Sequence, residues 1–247
     1  MKIFVWILLF LLVINVIAAL ITVFRKPRSI SSVLAWMMTL IFLPGIGFII
    51  YLFCGRGIDG QEVFKLSDDE KQMVQRIKEK VDVDNKKAGR DKRYDLLYDA
   101  KVLNRYFRNM DASPLAKRNS LQLFTDGQEK FQALFEDIRA AKETVHVEYY
   151  AFFNDTIGNQ FLDVLIEKLH EGVEVYLIYD PWGSPGANKK FFARYVDAGG
   201  KVAPFITSRD MIRKTRLNYH LHRKIVVIDG KIGWTGGFNV GDQYLNV

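Results

Sequence analysis

A histidine two residues ahead of a lysine, then an aspartate, a glycine pair and an asparagine, sets out the chemistry open to this chain: His222-x-Lys224-x4-Asp229-x6-Gly236-Gly237-x-Asn239. An imidazole with an ordinary pKa of about 6.5 can attack phosphorus or move a proton at neutral pH. A lysine ammonium neutralises phosphate oxygens, an asparagine amide donates a hydrogen bond to them, and glycines let the backbone come close. Average residue usage gives the joint pattern a chance on the order of one in 10⁵, so a phosphodiester-handling site outweighs an isolated structural histidine. On a strand, His222 and Lys224 project to one face with Ile225 and Val227 opposite, and alternation adds His220 to the first face, as a site member or as a surface residue.

Strands and helices must alternate to hold such a group. Leu121-Gln-Leu-Phe124 reads as a strand and Asp126-Gly127 as a helix entry. Phe131, Leu134, Phe135 and Ile138 then make one helical face. Val145, Val147, Tyr149 and Ala151 alternate with polar positions as a strand. Ile157 to Leu169 reads as a second helix and Val173 to Tyr179 as a further strand. A third helix carries Phe191, Phe192, Tyr195 and Val196. Lys224 to Ile228 and Ile232 to Trp234 flank Asp229-Gly230, a hairpin signal. This alternation predicts an α/β domain with a parallel or mixed sheet flanked by helices on both faces.

Upstream, two apolar runs, Ile3 to Phe24 and Val33 to Phe53, each reach the roughly 20 residues that cross a bilayer as a helix. They predict a two-helix transmembrane hairpin over residues 1–55, its second span kinked at Pro44, Gly45 and Gly47. The positive-inside rule sets the connection Arg25-Lys-Pro-Arg28 in the cytoplasm and the α/β domain outside; counting every Lys and Arg out to Lys80 reverses that vote. Residues 56–118 form a charged, partly helical connector, and residues 119–247 the α/β domain. The net charge of +7 suits anionic lipid and would attract nucleic acid as well. Cys54, the one cysteine, rules out an intrachain disulfide. No Walker loop and no Cys/His array of zinc spacing occurs, which argues against a nucleotide or metal enzyme.

The signature is similar to that of the phospholipase D superfamily. Its wider context resembles the bacterial cardiolipin synthase branch through Ala35-Trp36, Pro44-x-Ile-Gly47, Tyr51-Leu-Phe-Cys-Gly-Arg56, His146-Val-Glu148-Tyr-Tyr-Ala-Phe, Tyr179-Asp180-Pro-Trp-Gly183-Ser184 and Asp229 to Asp242. The resemblance implies a membrane phosphatidyltransferase that needs no metal or cofactor. Two phosphatidylglycerol molecules become cardiolipin and glycerol through a phosphohistidine. His222 would be nucleophile or acid/base, Lys224 and Asn239 phosphate ligands beside Gly237, and Asp229 an orienting or structural member of the catalytic set. Glu148, Asp180 and Ser184 resemble pocket-rim positions, and His220-Leu221 stands where members often carry Arg-Asn.

Superfamily sites join two signatures, and this chain carries one. The resemblance therefore implies the first of two half-sites in a domain truncated at its C-terminal end, inactive alone. Its second half-site would come from a longer chain, another chain or a homodimer. The implied partners are phosphatidylglycerol and anionic membrane lipid at a bacterial cell membrane, with no nucleic acid. The alternatives are a homodimeric phosphodiesterase or nuclease and a catalytically dead lipid-binding membrane module.

Overall fold

The computed structural model describes residues 29–43, 45–55, 67–87, 119–206 and 220–245, with scattered positions in 2–21 and 102–107. The first apolar run lies largely outside the described residues. Two compact units divide the chain: one holds residues 1–57 and 124–247, the other residues 58–123.

The second apolar run is not one helix. Helix α1 (Ile30–Phe42) is capped by the Ser29 hydroxyl, which accepts from the Ser32 amide at 3.3 Å, and helix α2 (Ile46–Ile50) continues into a π turn, Tyr51–Gly55. Between them Gly45 takes a φ of 83°, a left-handed conformation that reverses the chain. The Trp36 and Tyr51 ring centroids lie 5.1 Å apart, whereas fifteen residues of straight helix would set them about 22 Å apart. The expected kink is therefore a full reversal, and no helix among the described residues is long and apolar enough to cross a membrane. In the other unit, α3 (Asp68–Lys87) is the expected connector helix. The Ser67 hydroxyl and the Glu70 carboxylate close a capping box at its start, accepting from the Glu70 and Ser67 amides at 3.3 and 2.7 Å.

Helix α4 (Gly127–Ala140) starts where Asp126 accepts from the Glu129 amide at 2.9 Å, and α5 (Thr156–His170) where Asp155 accepts from the Gly158 amide at 3.0 Å. Gly172, with a φ of 85°, ends α5 and turns the chain into the next strand. The strands are β1 (Thr144–Tyr149), β2 (Glu174–Tyr179), β3 (Lys201–Pro204), β4 (Lys224–Ile228) and β5 (Ile232–Thr235); a short α6 (Ala193–Asp197) precedes β3. Their order is β3-β2-β1-β4-β5. The first three run parallel and β4 and β5 antiparallel, a mixed sheet as expected. Asp229 and Gly230, at φ 51° and 63°, make the turn between β4 and β5.

Phe131, Leu134 and Ile138 of α4 pack with Phe161, Leu162 and Leu165 of α5 on Val145, Val147, Val175 and Val226 of the sheet. Truncating any one of the leucines to alanine costs about 2–5 kcal/mol. Because α4, α5 and Tyr195 of α6 all join this one cluster, the described helices cover one sheet face; on the other, His146 and Ile178 are exposed. The expectation of two covered faces is corrected to one among the described residues. Leu121 to Phe124 is likewise no strand: Leu121 and Leu123 are 96% and 84% exposed, and the segment pairs with none of the five strands, although the Phe124 ring stacks on Trp234 of β5 at 5.1 Å.

Candidate functional site

The signature gathers where β1 ends and β4 begins. Antiparallel pairing sets Tyr149 opposite Lys224, and the next rung, from the Tyr150 amide to the Arg223 carbonyl at 3.0 Å, carries His222 past the end of the strand. The His222 ring then lies 4.7 Å from the Tyr150 ring, centroid to centroid. Lys224, as the first residue of β4, sits on the buried face with Val226 and Ile228, while His222 stands in an extended segment open to solvent. The two therefore do not share a regular strand, but the long lysine side chain returns. Its Nζ donates to the His222 carbonyl at 3.2 Å, lies 3.5 Å from His222 Nδ1 and 5.2 Å from the Tyr150 ring centroid. Lys224 is 6% exposed, and burial lowers its pKa.

Asn239 reaches the same end of the sheet through a parallel bridge between Phe152 and Val240. Its Oδ1 accepts from the Ala151 amide at 3.1 Å and its Nδ2 donates to the Tyr244 hydroxyl at 2.6 Å. One amide hydrogen is thus directed onto a tyrosine that residue spacing does not reveal. At Gly236 and Gly237 an added Cβ would meet nothing within 4 Å, so internal packing does not demand glycine there.

Asp180, expected at the pocket rim, is fully buried. Its Oδ1 accepts from the Trp182 amide at 2.8 Å, and its Oδ2 accepts from the Leu221 amide at 2.8 Å and faces His220 Nδ1 at 3.5 Å. It ties the loop after β2 to the segment that delivers His222. His220 leans on Trp182, with ring centroids 5.7 Å apart, and stands edge-on to Tyr150 at 6.4 Å. It thus flanks the same tyrosine as His222.

Three expected members stand elsewhere. Asp229 sits at the far end of β4, five residues or roughly 16 Å of strand from Lys224. Its carboxylate accepts from the amides of Lys142, Glu143 and Thr144 at 2.9, 2.8 and 2.9 Å. Those bonds hold its pKa below the ordinary carboxylate value. Of the two roles expected for it, the geometry supports the structural one. The Ser184 hydroxyl donates to the Tyr150 carbonyl at 3.1 Å and accepts from the Phe152 amide at 2.9 Å, so it clamps β1 rather than lining a pocket. Glu148 lies half-exposed on the open sheet face, opposite Ile225.

Among the described residues no three His, Cys, Asp or Glu side chains converge as metal ligands do. A separate groove between α4 and α5, lined by Phe131, Phe135, Ile157 and Leu245, contains none of the site residues.

A family model described as "Cardiolipin synthase, PLD-like domain" matches residues 134–247, and one described as "Phospholipase D-nuclease N-terminal" matches residues 13–56. A cardiolipin synthase from Listeria monocytogenes is 39% identical over 97% of this chain and 50% of its own length. One from Staphylococcus aureus is 38% identical over 94% of this chain and 47% of its own. The chain spans about half the length of the curated relatives it matches. Among solved structures, NucT from Helicobacter pylori matches at 23% identity and a TM-score of 0.39, over 52% of this chain and 78% of that one. With its signature at one end of a mixed five-stranded sheet, this chain belongs with the bacterial cardiolipin synthases of the phospholipase D superfamily over the half of their length that it spans.

Proposed function

We propose that this chain supplies one half-site of a membrane phosphatidyltransferase that makes cardiolipin from phosphatidylglycerol. The observation that carries the reading is an exposed imidazole beside a buried ammonium. His222 is open to solvent, while the polar contacts of Lys224 among the described residues all go to His222 rather than to a carboxylate. A buried cation without a counter-charge is costly, and a phosphodiester bound beside His222 would neutralise it.

In the first step a ring nitrogen of His222 bonds to phosphorus. The bond from phosphorus to the headgroup glycerol oxygen breaks, and that oxygen leaves as glycerol with a proton from an acid of the second half-site. In the second step the hydroxyl of another phosphatidylglycerol attacks phosphorus, passes its proton to the same group and releases His222. Two phosphatidylglycerol molecules thus become one cardiolipin and one glycerol. The covalent stage lets a lipid alcohol replace water only if the assembled site keeps water out.

The Nδ1 of His222 faces Lys224, which leaves Nε2 for attack. The ring proton must then sit on Nδ1, and an ammonium cannot accept it. That need, together with the single signature, leads us to assign activity to a site completed by further chain, another chain or a second copy. We assign phosphate binding to Lys224, to Asn239 and to the backbone at Gly237, and positioning to Asp180 and Tyr150. Residues 3–24 are read as a membrane span, which sets the enzyme at the bacterial cell membrane.

His222→Ala, tested in the source membrane with labelled phosphatidylglycerol, is expected to abolish both the acid-labile phosphoprotein and cardiolipin at unchanged protein level. Cardiolipin synthesis that survives the substitution would overturn the assignment. Strand cleavage of DNA by a dimer, lost with the same change, would favour a nuclease instead.

A further inference from the structure

From Ile30 to Gly55 the chain contains no charged residue, and its fold turns that stretch into a closed hairpin rather than a rod. The reversal is built in. Gly45 holds the left-handed turn, and a Cβ at Gly47 would fall 2.5 Å from the Thr39 carbonyl oxygen, so the two limbs touch through backbone. Leu40 and Tyr51, 1% and 3% exposed, form a small interior with Val33, Trp36 and Met37 around it. The hydroxyl of Thr39 donates to the Ala35 carbonyl at 2.8 Å, which satisfies it within its own helix. Most of what faces outward is apolar: Ile30, Leu34, Phe42, Ile46 and Ile49 are 80%, 56%, 73%, 63% and 58% exposed, and Ser31 near the start and Cys54 near the end are the exposed polar or weakly polar side chains among the described residues of the hairpin.

An uncharged element with a largely apolar outer surface, its exposed serine near the end away from the turn, matches hydrocarbon as a solvent. Its limbs are short for a crossing. Thirteen residues of α1 reach about 20 Å and the ten of α2 and its π turn about 15 Å, against roughly 30 Å of bilayer core. Both ends of the hairpin also leave from the same side, because Tyr51 packs back against Val33, Trp36 and Met37.

We propose that residues 30–55 form a re-entrant hairpin that dips into the lipid bilayer from one face and returns to it, with Leu43 and Gly45 at its tip. The basic stretch Arg25-Lys-Pro-Arg28 and the chain beyond Gly55 then lie on the same side of the membrane. With residues 3–24 as a span, the positive-inside rule puts that side, and the α/β domain, in the cytoplasm. This removes the conflict between the two counts of basic residues, because the connection and the charged segment after Gly55 no longer compete. The inference rests on the membrane attachment proposed above but not on the phosphatidyl transfer chemistry.

The test is cysteine accessibility in the full chain with Cys54→Ser as background. Lys26→Cys, Leu43→Cys and Gln61→Cys are each treated with a membrane-impermeant maleimide in intact cells and again after the membrane is opened. Positions 26 and 61 are expected to react under the same condition, and position 43 under neither until detergent is added. Reaction of 26 and 61 from opposite sides would overturn the hairpin in favour of a full second span. Reaction of Leu43→Cys in intact or opened cells without detergent would take the tip out of lipid. Release of the chain by alkaline carbonate would overturn the membrane attachment itself, a failure distinct from either topology. As a second variant, Gly47→Leu drives a side chain into the Thr39 carbonyl. It is expected to expose position 43 while leaving positions 26 and 61 on one side.

Discussion

Asp180 offers the sharpest test of how this site is held. Its fully buried carboxylate accepts from the backbone amides of Trp182 and Leu221, both at 2.8 Å, while the Gly183 amide at 3.4 Å is too long to count for much. A hydrogen bond to a charged group contributes about 1.5–3 kcal/mol, so Asp180→Ala is expected to lose about 3–6 kcal/mol from the two good bonds. Against a total domain stability of about 5–15 kcal/mol, that is a severe loss. Asp180→Asn keeps one accepting oxygen and turns an NH2 group toward the other amide, so it should lose about half as much. The assay is urea unfolding of the detergent-solubilised chain followed by tryptophan fluorescence, with Trp182 reporting the loop itself. The Asn variant, still folded, should also lose turnover in the assembled enzyme, because the segment leading through Leu221 to His222 is no longer pinned. An Asp180→Ala stability within about 1 kcal/mol of the parent would refute the clamp, since ordinary surface changes lie inside that range.

Burial lowers the Lys130 pKa to about 7 from an ordinary value of 10.5, where its Nζ donates to the Tyr149 hydroxyl at 3.0 Å. The unfolded chain thus binds more protons between those two values, and stability should rise with pH across that window and level off below it. Lys130→Met should remove the slope, and a parent stability curve that is flat from neutral to alkaline pH would contradict the assignment. Asp229 has the opposite sign. Backbone hydrogen bonds from Thr144, Glu143 and Lys142 hold its carboxyl below the ordinary value, so its contribution is complete above about pH 4 and fades as pH falls through the folded pKa. Asp229→Asn, which tolerates the positive φ, should flatten the acid limb of the stability curve; an unchanged limb would show that those bonds carry no net stabilisation. At Gly127 an added Cβ would lie inside the Tyr244 carbonyl oxygen. Gly127→Ala is therefore expected to lower stability by about 1–3 kcal/mol by displacing the turn that presents Tyr244 to Asn239; an unchanged Tm would show that the turn is not seated there.

Local patterns carried most of the domain. The apolar faces at Phe131 to Ile138 and Ile157 to Leu169, the capping aspartates and the Asp229-Gly230 turn all act within a few residues, where hydrogen bonding and periodicity decide the outcome. The signature residues His222, Lys224 and Asn239 were legible for the same reason: their types and spacing are chemical facts of the chain. What spacing did not reveal was their partners. Tyr150 and Asp180 meet the signature across separations such as the 41 residues between Asp180 and Leu221, which only sheet pairing closes, while Tyr244 meets Asn239 through the short turn five residues on. The far end of β4 claims Asp229, although the motif lists it beside His222, because a strand moves along by about 3.3 Å per residue whatever the motif.

The second apolar run marks the same boundary. Its composition by itself gives residues 30–55 a preference for an apolar environment, since free energy of transfer depends on residue type. Whether it runs straight or folds back was decided in three dimensions, by one left-handed glycine and by the fit of Gly47 against Thr39. Hydropathy sums over residues and ignores direction, whereas a backbone reversal depends on a local dihedral and on contact between segments far apart along the helix.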